Sequence, residues 1–228
     1  MDMGKLAGMS PLGAARVDRR TLRSAVLRAL LALCLTGALL IGHGEALMQV
    51  LRAPLASLID AIDPHHRVIG LSVTRSGADT VIRLDAGLRR LVVTGSHVTF
   101  ADPRARAVIT TPLAAFWLAP TALIALLAAW PAQRVIEWPL RSLLALPALA
   151  LLLAVDAPFV LDAHLWALHR DAHAPDSTSP ILVWSAFLKS GGRFVLAGVV
   201  ALPLIALASR TAARVAAAPR SRAGEPIA

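Results

Sequence analysis

The segment from Asp162 to Asp176 holds the densest set of side chains able to do chemistry: Asp162, His164, His169, Arg170, Asp171, His173 and Asp176. On a helix, Asp162, His169 and His173 would share one face, because their spacings of seven and four residues match two turns and one turn. Imidazole and carboxylate both suit a divalent cation, and His-x-x-x-His is a compatible spacing. That spacing is common by chance, however, and no His-Glu-x-x-His motif occurs in the chain. The expectation is therefore a solvated polar loop, with no metal and no cofactor.

Asp156 is the second candidate, being the one acid inside an otherwise apolar stretch. An ionisable group within a span calls for a named partner. Lys189 and Arg193, flanking Gly191-Gly192 near the start of the last apolar run, are the candidates. An ion pair that joins two helices is preferred over a proton relay, since transporters carry more polar groups at midplane and an internal repeat.

Other sets lead nowhere. Gly95-Ser96-His97 falls in a turn and lacks a partner for a nucleophile. His169-Arg170-Asp171 copies a kinase tripeptide without any glycine-rich phosphate loop. Intramembrane aspartyl proteolysis needs two acids in spans. Cys34 is the sole cysteine, so no intrachain disulfide forms, and a packed thiol in a helix is expected. No catalytic residue is predicted.

The elements that must position these groups are written in the composition. Of 228 residues, 57% are hydrophobic and only 16% charged, against about 25% in soluble domains. Mean hydropathy is +0.65. Charge is segregated: long runs have none and others are dense in arginine, as expected for lipid-facing segments between water-facing ones. The net charge of +9 serves topology rather than nucleic acid, because tyrosine is absent and most tryptophans lie in or beside apolar runs. The absence of asparagine and the excess of Ala, Arg and Leu suggest a bacterial source.

The predicted fold class is a mainly α membrane protein, with about four transmembrane helices and a small extracytoplasmic antiparallel α+β domain between the first two. Residues 1–21 form a cytoplasmic tail and 22–42 the first span, expected to be a retained anchor rather than a signal peptide cleaved at Gly42-His43-Gly44. The extracytoplasmic domain covers 43–108. Within it Leu47, Leu51, Leu55, Leu58 and Ile62 define one face of a helix over 45–63, which Pro54 should kink or divide. From Arg67 to Phe100 the period shifts to two, predicting a three- or four-stranded meander with a turn at Ser76-Gly77-Ala78-Asp79 and a break at Asp85-Ala86-Gly87. The second span is 109–130, a cytoplasmic loop 131–141, the third span 142–161, and an extracytoplasmic loop 162–180. An interfacial segment and the fourth span occupy 181–209, and 210–228 is a cytoplasmic tail.

Arginine counting orients these spans. Lys5, Arg16, Arg19, Arg20, Arg23 and Arg28 precede or open the first span, Arg134 and Arg141 lie in the 131–141 loop, and Arg210, Arg214, Arg220 and Arg222 follow the last span. The 162–180 loop has only Arg170. By the positive-inside rule both termini are cytoplasmic, in a bacterial inner membrane.

The order of an anchor, a small β domain and three further spans resembles the small accessory membrane proteins associated with exosortases. The strand-rich piece from Arg67 to Pro112 fits that plan, and Phe187-Leu188-Lys189-Ser190-Gly191-Gly192-Arg193-Phe194 is similar in type to a glycine-centred start of a final span. The likeness covers about residues 22–209 and rests on layout. It implies a helper role in sorting or processing envelope proteins. Exosortases themselves resemble cysteine transpeptidases that work with Cys, Arg and His, whereas Cys34 lies inside the first span. The expected function is thus a non-enzymatic membrane accessory or assembly factor that presents a periplasmic module to another membrane protein. A second reading, from a different class, is a small transporter or channel subunit using Asp156 with Lys189 or Arg193.

Overall fold

A computed structural model describes residues 19–94 and 97–217. The Gly95-Ser96 turn lies outside these, as do Lys5, Arg16, Arg220 and Arg222. The first element, α1, runs unbroken from Arg19 to Ile62, 44 residues. At 1.5 Å per residue that is about 66 Å, roughly twice the thickness of a bilayer core. Its two halves differ. None of its most apolar window is buried, and Leu27, Leu31, Leu35 and Leu39 stand exposed. The second half packs inward through Gly44, Met48, Leu55 and Ile59.

That inward face corrects the predicted one by about a residue: Leu47 points outward and Met48 inward. Leu55 belongs to both faces. Pro54 lies within the helix without dividing it, on the exposed side. The carbonyl it leaves without a donor belongs to Val50, itself an exposed residue.

Helix α1 leads into a sheet of order β1-β2-β5, antiparallel throughout: β1 His66–Ser76, β2 Asp79–Leu88 and β5 Ala107–Pro112. Ser76 pairs with Asp79, so Gly77 and Ala78 make a two-residue hairpin turn. Gly77 has φ +63°, the left-handed conformation that such a turn demands of its first residue. β2 does not break at Asp85-Ala86-Gly87 but continues to Leu88, paired with β1 throughout and with β5 as far as Ala86. β3 (Val92–Thr94) and β4 (His97–Thr99) form a separate two-stranded hairpin.

β5 was not expected. Residues 109–112 were predicted to open the second span, yet they complete the sheet. Ile109 and Thr111 are buried while Val108, Thr110 and Pro112 are exposed, a period of two. The apolar helix α2 then spans Leu113–Ala129, 17 residues without a charge.

Helix α3 covers Glu137–His173, 37 residues. The predicted loop 162–180 is therefore helical as far as His173, and Glu137 and Arg141 belong to the helix rather than to a loop. α4 (Pro180–Phe187) and α5 (Arg193–Ala217) meet through a π-helical turn, Leu188–Gly192. Gly191 there has φ +108°, so the rod bends at a residue that only glycine occupies without strain. Gly192 has no room for a side chain, because a Cβ would fall 2.5 Å from the Phe187 ring.

Among the described residues, three helical rods are long and apolar enough to cross a membrane: α1, α3 and α4–α5; α2 is shorter. Two cores hold them together. One is mostly small: Ala145 and Ala148 of α3 with Ala197 and Ala201 of α5, around Leu123 and Leu127 of α2. Small residues let helix backbones approach closely where lipid supplies no hydrophobic drive between them. The other core joins bundle to sheet, with Met48 and Ile59 of α1, Ile82 and Leu84 of β2, Phe116 of α2 and Leu161 and Leu165 of α3. The Trp117 ring lies against Gly44, where an added Cβ would sit 3.1 Å from the indole nitrogen.

Candidate functional site

The residues after α1 build a polar junction. The Asp63 amide donates to the Ile59 carbonyl and ends the helix, and Pro64 prevents its continuation. The Asp63 carboxylate then folds over the turn. Its Oδ1 accepts from the amides of His65 at 2.8 Å and His66 at 3.3 Å, and its Oδ2 is hydrogen-bonded to His66 Nδ1. This is an Asx-type turn, in which a short acidic side chain satisfies the amides freed by a chain reversal. Burial works to raise the pKa of Asp63. Its hydrogen bonds with His66, Asp162 and the His65 amide outweigh that and hold it well below the usual carboxylate range.

The outer end of α3 closes the junction. Asp162 sits 3% exposed beside Asp63 and His66, each 2% exposed. One ligand-capable atom from each of these three residues lies within 4.8 Å of the others. Asp162 Oδ1 is buried and has no hydrogen-bond partner. Two turns further along the same face, His169 places its Nε2 at 3.1 Å from His66 Nε2. Between them Trp166 meets the rings of His65 and His66 edge-on, at 5.7 and 6.4 Å between centroids. Asp63, His66 and Asp162 could hold a cation, two carboxylates supplying the charge and one imidazole the nitrogen. Of the face predicted from spacing, the structure brings Asp162 and His169 to this junction, while His173 lies exposed one turn beyond.

Two further polar groups lie nearby on α3. Asp156 is 1% exposed and takes two hydrogen bonds from Arg193, Nε to Oδ2 at 2.7 Å and Nη2 to Oδ1 at 2.9 Å. The Arg193 guanidinium also lies 5.9 Å from the Phe116 ring centroid. Lys189 goes elsewhere. Its ammonium is 2.9 Å from His164 Nε2, and His164 Nδ1 is 3.1 Å from Thr111 Oγ1 of β5. An ammonium can only donate, so Nε2 accepts and Nδ1–H donates to the threonine. The three elements α3, the π turn and β5 are thereby joined.

At the opposite end of the bundle, Arg141 is 2% exposed and donates to the carbonyls of Leu127, Trp130 and Pro131 and to Glu137. It thus binds one carbonyl of the last turn of α2, which a helix end cannot satisfy itself, and the two that follow the helix.

Sequence reasoning missed Asp63, His66, Thr111 and the Glu137–Arg141 pair. One signal was available for the first two: Asp63-Pro64-His65-His66 puts an acid and two imidazoles at a helix-to-strand junction. Compared with known families, curated proteins and solved structures, this chain matches none.

Proposed function

We propose that this chain is a non-enzymatic, multi-pass accessory or assembly factor of the bacterial inner membrane, with four spans and both termini cytoplasmic. In this reading it presents the β1-β2-β5 sheet on the outer side to another membrane protein, one of the exosortase type. The observation that carries the proposal is the contrast within α1. Its second half is locked into the core that joins bundle to sheet, while its first half is apolar and unpacked. A partner's helix docked on that half would be registered to the sheet by one continuous rod.

The transporter reading draws less support. Both oxygens of Asp156 are engaged by Arg193, which suits a fixed joint between α3 and α5 better than a site that loads and releases a cation.

Site-specific photo-crosslinking in native membranes tests the proposal. Crosslinkers at Leu31 and Leu35 should each trap one discrete membrane protein, identifiable by mass spectrometry, while positions facing the core should trap none. Lipid adducts alone from both positions would overturn it.

A further inference from the structure

We propose that Asp63, His66 and Asp162 form a binding site for a divalent first-row transition ion, zinc or manganese, with His169 fixing the His66 ring from its far side. The three side chains come from three places in the fold: the turn that follows α1, the first residue of β1 and the outer part of α3. Their ligand atoms already lie within 4.8 Å of one another. Around one zinc ion, with bonds of about 2.0–2.2 Å, neighbouring ligand atoms are roughly 3.4 Å apart. Closure therefore needs side-chain shifts on the order of 1 Å.

An independent observation points the same way. Asp162 Oδ1 is buried without a hydrogen-bond partner. A buried oxygen in that position has lost its hydration with no partner in exchange, and a bound ion would supply one.

Donor chemistry selects the ion. Two carboxylates balance a dication and suit manganese as well as zinc, while the imidazole nitrogen favours zinc and disfavours magnesium and calcium, which take oxygen. The contact from His66 Nε2 to His169 Nε2 is the kind of outer hydrogen bond that sets the tautomer and orientation of a ligating ring. With all three ligands buried, the ion would act as a clamp between α1, β1 and α3. The inference does not depend on the accessory role proposed above.

The test uses the full chain, purified in detergent through a tag without histidine. Metal analysis should find about one zinc or manganese per chain. After stripping with a chelator, zinc at about a hundredfold its Kd should raise Tm by roughly 5 °C or more, and magnesium at equal concentration should not. Asp162→Asn and His66→Gln should abolish the shift, and His169→Gln should weaken binding about 10-fold or more. His173→Gln should bind as the parent does. If Asp162→Asn fails to fold, the parent titration and His169→Gln still decide. A parent Tm indifferent to both zinc and manganese would overturn the site, as would a shift that survives in Asp63→Asn/Asp162→Asn. Loss of binding in His173→Gln with retention in His66→Gln would move the ion to the helix face alone and also overturn it.

Discussion

Asp156 and Arg193 lie where an unpaired charge is most expensive, in a packed helix interface with little water to screen it. Arg193→Ala would leave a buried carboxylate alone, and breaking such a pair costs about 3–5 kcal/mol. The thermal midpoint in detergent should fall sharply. The double variant Asp156→Ala/Arg193→Ala should recover most of the loss, because no charge is then stranded. Lys189→Ala should change the midpoint little by comparison, since Lys189 is exposed and engages His164 rather than Asp156. Equal damage from the lysine and arginine variants would contradict this division. Sequence narrowed the partner of Asp156 to these two cations but could not separate them. What separates them is the phase of the chain at Gly191, whose positive φ sends Lys189 and Arg193 to different neighbours. Gly191→Ala forces an L residue into that conformation and should cost on the order of 1–2 kcal/mol. Its midpoint should drop although no side-chain contact is removed. The Asp63–His66–Asp162 cluster was hidden for another reason: its members are distant in sequence, and only folding of α3 back onto the end of α1 brings them together.

The elements show which signals survive translation into structure. Long apolar runs were legible, because a helix satisfies all of its backbone groups within the segment itself and needs no partner strand. The β1-β2 hairpin was legible from its turn, Ser76-Gly77-Ala78-Asp79, although β2 runs on past the predicted break. A glycine in an isolated strand is costly, but Gly87 is held by a neighbour on β1. β5 was not legible because its alternation, Ala107-Val108-Ile109-Thr110-Thr111, merges directly into the apolar run of α2. Hydropathy alone joins the two. Cysteine scanning in a Cys34→Ala background distinguishes the assignments. Val108→Cys and Thr110→Cys should react with a soluble maleimide, and Ile109→Cys and Thr111→Cys should be protected, because the strand buries alternate residues. Uniform protection from position 109 onward would mean that the segment belongs to the span. Helix α1 carries a related lesson. Its inward face is set by what Gly44 and Met48 meet on α2 and the sheet, and a helical wheel drawn from Leu47 cannot supply that.

At the scale of the molecule, the path of the chain and the distribution of charge can be compared directly. α1 ends at the sheet, α2 leaves it, and α3 returns to it, since Asp162 and His169 meet His66. The α5 end lies by the α2–α3 connection, where Arg134 donates to the Ala212 carbonyl at 2.8 Å. The sheet thus occupies one end of the bundle, and the start of α1, the end of α2, the start of α3 and the end of α5 occupy the other. That second end holds Arg19, Arg20, Arg23, Arg28, Arg134, Arg210 and Arg214. Two arginines at the sheet end are paired with acids, Arg83 with Asp85 and Arg89 with Asp60. The positive-inside rule weighs basic residues close to span ends and loses force over long translocated segments. On that rule the arrangement proposed above has the sheet outside and both chain ends inside. Reporter fusions after Arg106 and Asp176 should then register an extracytoplasmic location, and fusions after Arg134 and Arg214 a cytoplasmic one. Agreement at all four sites requires that the 17-residue α2 cross the membrane despite its length. At about 26 Å it falls a little short of a bilayer core of about 30 Å, a mismatch that local thinning or flanking residues can absorb. An extracytoplasmic signal after Arg134 would show that α2 does not cross, and the four-span arrangement would fall with it.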